Sequence, residues 1–164
     1  MTKPNIKKAY FASGCFWGTE YWLKKEFGVI STQAGYCGGH KKWPTYNDVC
    51  TGTSGHTETV EVIYDLSITT YEKLLKIFFE THDPSQKNGQ GPDIGTQYRS
   101  AIFYQTKLEL KTAKTVINIL ESKDIKVVTE LTPFEKFWVA ENYHQDYYSN
   151  KKQTPTCHIY TKKF

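Results

Sequence analysis

Ala9-Tyr10-Phe11-Ala12-Ser13-Gly14-Cys15-Phe16-Trp17-Gly18 is the stretch around which this 164-residue chain is organised. Its first residues form a short apolar strand pattern, Gly14 breaks it, and a helical pattern runs on from Thr19 to Phe27. A cysteine at such a strand-to-helix turn lies near helix N-terminal amides, whose partial positive charge favours thiolate over thiol. The flanking glycines allow a tight turn in which backbone can approach a ligand. Phe16 and Trp17 put large apolar surface beside the sulfur. The combination reads as a reactive thiol facing a small apolar pocket, against the bland alternative of an inert cysteine among core aromatics.

Working outward, residues 7–13 read as a first strand and 18–27 as a first helix, with Gly28 as its C-cap. Val29–Ala34 is a second strand, followed by an irregular, Gly-rich stretch over 35–55. Thr57–Tyr64 alternates as a half-buried strand should, and Thr70 caps a helix carrying Tyr71, Leu74, Leu75, Phe78 and Phe79. A long polar loop spans 83–97; such a loop inside a compact domain is often functional. Tyr98–Tyr104 is a strand, Lys107–Ser122 the clearest helix, Val127–Leu131 an edge strand and Phe137–Tyr148 a helix. The core order of strand, helix, strand, strand, helix, strand predicts an α+β, ferredoxin-like two-layer sandwich (βαββαβ) with added C-terminal helices. The expectation is one catalytic domain over 1–164, with 149–164 a polar, irregular tail.

Composition narrows the function classes. Hydrophobic residues at 38% and charged residues at 23% argue against disorder, and 15% aromatics suit either a core or an apolar cleft. The net charge of +4 comes from scattered lysines with a single arginine, Arg99, which speaks against specific nucleic-acid binding. No apolar run is long enough for a membrane span and the N-terminus has no secretory pattern, so a cytoplasmic location is expected. In a reducing compartment Cys15, Cys37, Cys50 and Cys157 would be catalytic, metal-binding or buried rather than a static disulfide framework. No apolar interface signal is evident, so a monomer is expected.

Several constellations bear chemistry. Glu58 opens an otherwise apolar strand; burial among aromatics would raise its pKa and fit it as a general acid, although an exposed strand-end glutamate is commoner. Asp93, Tyr46 and Tyr98 are candidates for a hydrogen-bonding pocket. The five histidines read mostly as solvated loop residues. Cys37-x2-His40 with Cys50-x5-His56 offers a zinc set at an unusual spacing, hence a weak second reading as a zinc-stabilised binding module. A cysteine hydrolase is a third reading, weakened by the lack of an obvious base or oxyanion motif. Cys157, in a polar tail, suits a resolving thiol or an incidental one.

Six blocks together resemble the A family of peptide methionine sulfoxide reductases over nearly the whole chain. They are Gly14–Gly18, Gly35-Tyr36-Cys37-Gly38-Gly39, Pro44-Thr45-Tyr46, Gly55-His56-Thr57-Glu58, the run from Gln90 to Ser100 with His82-Asp83-Pro84 before it, and Ala140–Tyr147. The resemblance implies thiol-dependent reduction of methionine-S-sulfoxide, protein-bound or free, in repair of oxidised proteins. It implies Cys15 as nucleophile and Glu58 as acid. Tyr46, Tyr98 and Asp93 would hydrogen-bond the sulfoxide oxygen, the last through water, and Phe16 and Trp17 would hold the methyl group. It also implies no bound cofactor or metal, and thioredoxin or another dithiol as reductant. Many relatives carry two cysteines in a Gly-rich tail; this chain has Cys157 alone there, so a Cys15–Cys157 disulfide is expected, with Cys37 a rival and Cys50 a packing residue.

Overall fold

In the computed structural model, which describes residues 3–164, the opening apolar stretch forms β1 (Ile6–Ser13). Gly14 turns the chain at φ +93°, a conformation open to glycine, and α1 (Phe16–Lys24) begins directly after Cys15. The helix starts earlier than its apolar spacing suggested and stops short of Phe27, which is left exposed. β2 (Val29–Cys37) runs further than expected, and the irregular stretch after it contains a short helix, α2 (Tyr46–Cys50). Thr45 and Asp48 close that helix with a reciprocal capping box. β3 (Thr57–Asp65) is followed by α3 (Tyr71–Glu80), where the Thr70 hydroxyl accepts from the Lys73 amide as an N-cap.

The long loop holds a small hairpin, β4 (Gly89–Gln90) with β5 (Asp93–Ile94), and a 3-10 turn over Thr96–Tyr98. Tyr98 therefore ends a turn instead of starting a strand. β6 (Ser100–Tyr104) and α4 (Lys107–Ser122) follow. The expected edge strand lies three residues later, as β7 (Glu130–Pro133). β8 (Phe137–Val139), a 3-10 turn (Asn142–His144) and α5 (Tyr147–Lys151) complete the elements.

The main sheet has the order β7-β6-β1-β3-β2-β8, parallel between β6 and β7 and antiparallel elsewhere. The expected βαββαβ run supplies its four central strands; β7 and β8 extend it to a six-stranded, mixed α/β arrangement. Alternate β1 residues serve two cores. Ala9 and Phe11 join the apolar stripes of α1, α3 and α4, including Phe16, Leu74, Phe78 and Val116. Tyr10 and Ala12 face a second cluster with Cys37 and Phe103, covered by Phe134 stacked on Tyr10 at 4.0 Å. With both faces covered, β3 is buried almost throughout instead of half-buried. Among the described residues, no helix is long and apolar enough to cross a membrane.

One expectation for the C-terminal part is overturned. Phe137–Tyr148 is not a helix: Phe137, Trp138 and Val139 pair with Cys37, Tyr36 and Gly35 on the open edge of β2. Gly35 makes this possible, because any Cβ there would overlap the Phe137 ring and the Trp138 carbonyl. After α5 the tail has no regular structure, and hydrogen bonds tie it to the helices. The Trp22 indole N–H donates to the His158 carbonyl at 2.7 Å. Further on, Lys163 Nζ donates to the Phe79 and His82 carbonyls at 2.6 and 2.8 Å, capping the end of α3.

Gly35→Ala should overpack the β2–β8 contact and cost about 1–3 kcal/mol. A urea midpoint equal to that of the parent chain would mean that Phe137 is not packed over this strand.

Candidate active site

The turn after β1 presents the Cys15 side chain, half-buried, into a cavity of about 230 Å³. The backbone carbonyl of Cys15 accepts from the Gly18 amide at 3.2 Å, so the residue caps the first turn of α1 through its main chain. The cavity is lined by Cys15, Phe16, Trp17, Tyr46, Glu58, Asp93, Tyr98 and Cys157, together with Tyr148 and His158. All eight side chains singled out in the sequence are thus brought to one place.

Glu58 lies near the start of β3, only 2% exposed, and its Oε1 accepts from the Phe16 amide at 3.1 Å. Burial raises its pKa to about 8; the Phe16 hydrogen bond opposes that shift and the nearby Asp93 charge adds to it. The carboxyl therefore keeps a proton at neutral pH. Asp93, on β5, is also raised by burial. Tyr46 and Tyr98 are raised mainly by burial as well, so both remain phenols able to donate.

Cys15 departs from the electrostatic expectation. The Trp17 amide donates to its sulfur, which favours thiolate, but burial and then the adjacent Glu58 carboxylate push the thiol well above the ordinary thiol range. Desolvation outweighs the helix N-terminus here. The resting site holds its protons on sulfur and carboxyl alike.

Supports for these groups come from the chain's later part. Tyr46 donates its amide to Glu141 Oε2 at 3.0 Å, and the same carboxylate accepts from the Tyr36 hydroxyl at 2.9 Å. Trp17 donates Nε1–H to His144 Nδ1 at 3.0 Å and stacks on Tyr147 with centroids 3.6 Å apart. His144 is buried and stacks on the Tyr46 ring at 4.5 Å.

Histidines read as surface residues are mostly inside. His56, His82, His144 and His158 are each at most 3% exposed, while His40 alone is exposed. His82 bridges the Phe78 carbonyl and the Ser100 hydroxyl, and burial lowers its pKa to about 3. The sequence gives no direct signal for His158 in the cavity wall or for His144 behind Trp17 and Tyr46, beyond the nearness of His158 to Cys157.

The four cysteines part company. Cys157 is half-buried at the cavity, with its sulfur free like that of Cys15. Cys37 belongs to the second core cluster and donates to the Lys136 carbonyl at 3.2 Å, away from the cavity lining. Cys50 ends α2 and is exposed, so it does not fill a core. The zinc set does not assemble: His56 spends its ring nitrogens on the Gly39 amide and the Lys41 carbonyl. Among the described residues, no three His, Cys, Asp or Glu side chains gather as a metal-holding group.

The family model for peptide methionine sulfoxide reductase matches residues 7–164. The chain is 50% identical over 155 residues to the peptide methionine sulfoxide reductase MsrA of Saccharolobus solfataricus, covering 94% of this chain and 88% of that one. Among solved structures it resembles Mxr1 from Saccharomyces cerevisiae in reduced form, with TM-score 0.87 and 34% identity over 96% of this chain and 95% of that one. It also resembles methionine sulfoxide reductase A of Corynebacterium diphtheriae, with TM-score 0.81 and 33% identity over 92% and 77% of the two chains.

The raised Glu58 pKa carries a stability consequence of definite sign. Below pH 4.5 the carboxyl is protonated in both folded and unfolded chains, so burial costs little. Between 4.5 and about 8 only the unfolded chain releases the proton, which draws stability down as pH rises. Glu58→Gln should therefore gain stability over the parent chain across this window, by about 3 kcal/mol near pH 7. Urea titrations at pH 5 and 7.5 read the difference; a gap that does not widen with pH would contradict the buried, protonated state.

Proposed function

Because the chain belongs to the peptide methionine sulfoxide reductase family, and is an oxidoreductase that reduces methionine sulfoxide, we propose that it reduces the S epimer through a sulfenic acid on Cys15. The observation that carries the reading is the pairing of Cys15 with a buried carboxyl that keeps its proton at neutral pH, in one small aromatic-walled cavity. A sulfoxide oxygen departing unprotonated would be prohibitively basic, so attack by sulfur needs a proton delivered at the same moment.

The steps follow from the lining. Trp17, clamped between His144 and Tyr147, and the Phe16 ring receive the terminal methyl group. With the methyl fixed, one epimer alone turns its oxygen toward Glu58, Tyr46 and Tyr98. The two phenols donate hydrogen bonds to that oxygen, and Asp93 acts through a bridging water. Cys15 sulfur bonds to the sulfoxide sulfur as Glu58 gives its proton to the oxygen, and the thiol proton of Cys15 restores Glu58. The oxygen then passes to Cys15 and methionine leaves, so sulfoxide and thiol become thioether and sulfenic acid with atoms conserved.

Cys157 resolves that sulfenic acid, a role supported by its place on the same cavity wall, whereas Cys37 lies in the other core cluster. Thioredoxin, or another dithiol, reduces the resulting Cys15–Cys157 disulfide by exchange. Both free and protein-bound methionine sulfoxide are substrates, since a cavity of about 230 Å³ takes up only the side-chain end. No resident cofactor is needed for any of these steps.

A single turnover without reductant tests the scheme. Mixing reduced protein with each methionine sulfoxide epimer should yield about one methionine per chain from the S epimer only, as the Cys15–Cys157 thiol pair is oxidised once to the disulfide. Peptide mapping should then join Cys15 to Cys157. Cys15→Ser should give no methionine; residual turnover at the parent rate would remove Cys15 as nucleophile.

The pH profile checks the acid. Methionine formation should fall as pH rises through about 8, where Glu58 loses its proton. Glu58→Gln should slow the step about 10²–10⁴-fold at neutral pH. A parent-like rate in that variant would take the acid role away from Glu58.

A further inference from the structure

We propose that His158 is a positioning residue for the resolving step, bolting the chain next to Cys157 onto the turn that carries Cys15. The proposal rests on the reading that Cys157 resolves the Cys15 sulfenic acid.

His158 is 1% exposed although it sits in a tail composed mainly of polar residues. Its Nε2–H donates to the carbonyl of Ser13, the last residue of β1, at 2.6 Å, with Thr19 Oγ1 at 3.5 Å. Burial lowers its pKa to about 4, so the ring is neutral and has one N–H to place; the Ser13 carbonyl fixes it on Nε2. The ring fills a notch that exists because Gly18, in the first turn of α1, has no side chain. A Cβ on Gly18 would overlap the imidazole, whereas Gly14 is crowded by the Gln90 side chain. The His158 carbonyl accepts from the Trp22 indole, and the chain beyond is tied to α3 through Thr161 and Lys163.

Cys157 therefore stands immediately before a fixed point, while residues 151–154 on its other side are exposed. Both sulfurs ride on one piece: Cys15 follows Gly14 in the turn that His158 grips, and Cys157 is its neighbour. Rearrangement during resolution is confined to the short stretch upstream of Cys157. In that step the Cys157 sulfur bonds to the Cys15 sulfur, the S–O bond of the sulfenic acid breaks, and the hydroxyl leaves as water with the Cys157 proton. Loss of the anchor leaves the two thiols in the same chain but unaligned. A misplacement of about 1 Å in such a reaction costs on the order of 10²-fold.

The test follows two rates in one single turnover with methionine-S-sulfoxide: formation of methionine, and formation of the Cys15–Cys157 bond after acid quench. The ratio of the second to the first should fall about 10–100-fold in His158→Ala, with sulfenic acid accumulating and captured by a 1,3-diketone. His158→Gln, whose amide N–H can reach the Ser13 carbonyl, should restore most of the ratio. Trp22→Phe removes the bond to the His158 carbonyl from outside the cavity and should lower the ratio in the same direction, which keeps the test alive if His158→Ala does not fold. A ratio unchanged in His158→Ala and Trp22→Phe, or the two rates falling together, would overturn the anchor. If the parent chain makes methionine without a Cys15–Cys157 bond, the resolver assignment fails first, and the anchor with it.

Discussion

The hydrogen bond from the Phe16 amide to Glu58 Oε1, 3.1 Å long, joins segments 42 residues apart and sets the terms for the rest of the site. It requires β3 to lie antiparallel against β1 in the register that pairs Phe11 with Val60, which carries Glu58 to where the Cys15 turn begins. The same placement strips water from the carboxyl. One amide donor is too little to hold the charged form against that loss, so the group stays protonated. Glu58 in turn bears on Cys15, adding to the burial that discourages ionisation of the thiol. A pair that retains its protons until a polar oxygen arrives suits chemistry in which sulfur attacks and oxygen is protonated together.

Around that pair the chain divides its labour. Side chains facing the cavity come largely from the first hundred residues, and those holding them from the last thirty. Glu141 ties Tyr36 to the start of α2, His144 and Tyr147 hold Trp17 from edge and face, and Gln145 bonds the Ala34 backbone on both its amide and its carbonyl. Trp17 and Tyr46 are thus fixed by partners distant in sequence, which limits their rotamers before any ligand enters.

The sequence was legible where local pattern and chemistry agreed. Lys107–Ser122 could be read as a helix because its apolar stripe and Thr106 cap are local features. Glu58 could be singled out because a carboxylate in an apolar strand is anomalous wherever the strand goes. The direction of the Cys15 shift could not be read, since helix polarity is local but desolvation depends on what the fold lays over the sulfur. Phe137–Tyr148 misled for a related reason: its spacing suits a helix, but the bare edge at Gly35 selects extended pairing. His158 gives no sign of burial because the notch that takes it is formed by Gly18, 140 residues away in the chain.

The position of β1 in the sheet has a consequence for how the molecule comes into being. The strand made first lies between β3 and β6, so it cannot be paired on both edges until residue 104 or so has been synthesised. Contacts of such long sequence separation are slow to form, because loop closure precedes any gain from packing. During that interval Cys15 travels on an unfinished sheet without its covering tail, and a thiol in water has an ordinary acidity. The burial that restrains it in the finished protein is completed only when the tail arrives and His158 reaches the notch at Gly18. The chain thus synthesises its nucleophile early and shelters it late, so folding itself sets the period during which the thiol is open to indiscriminate oxidation.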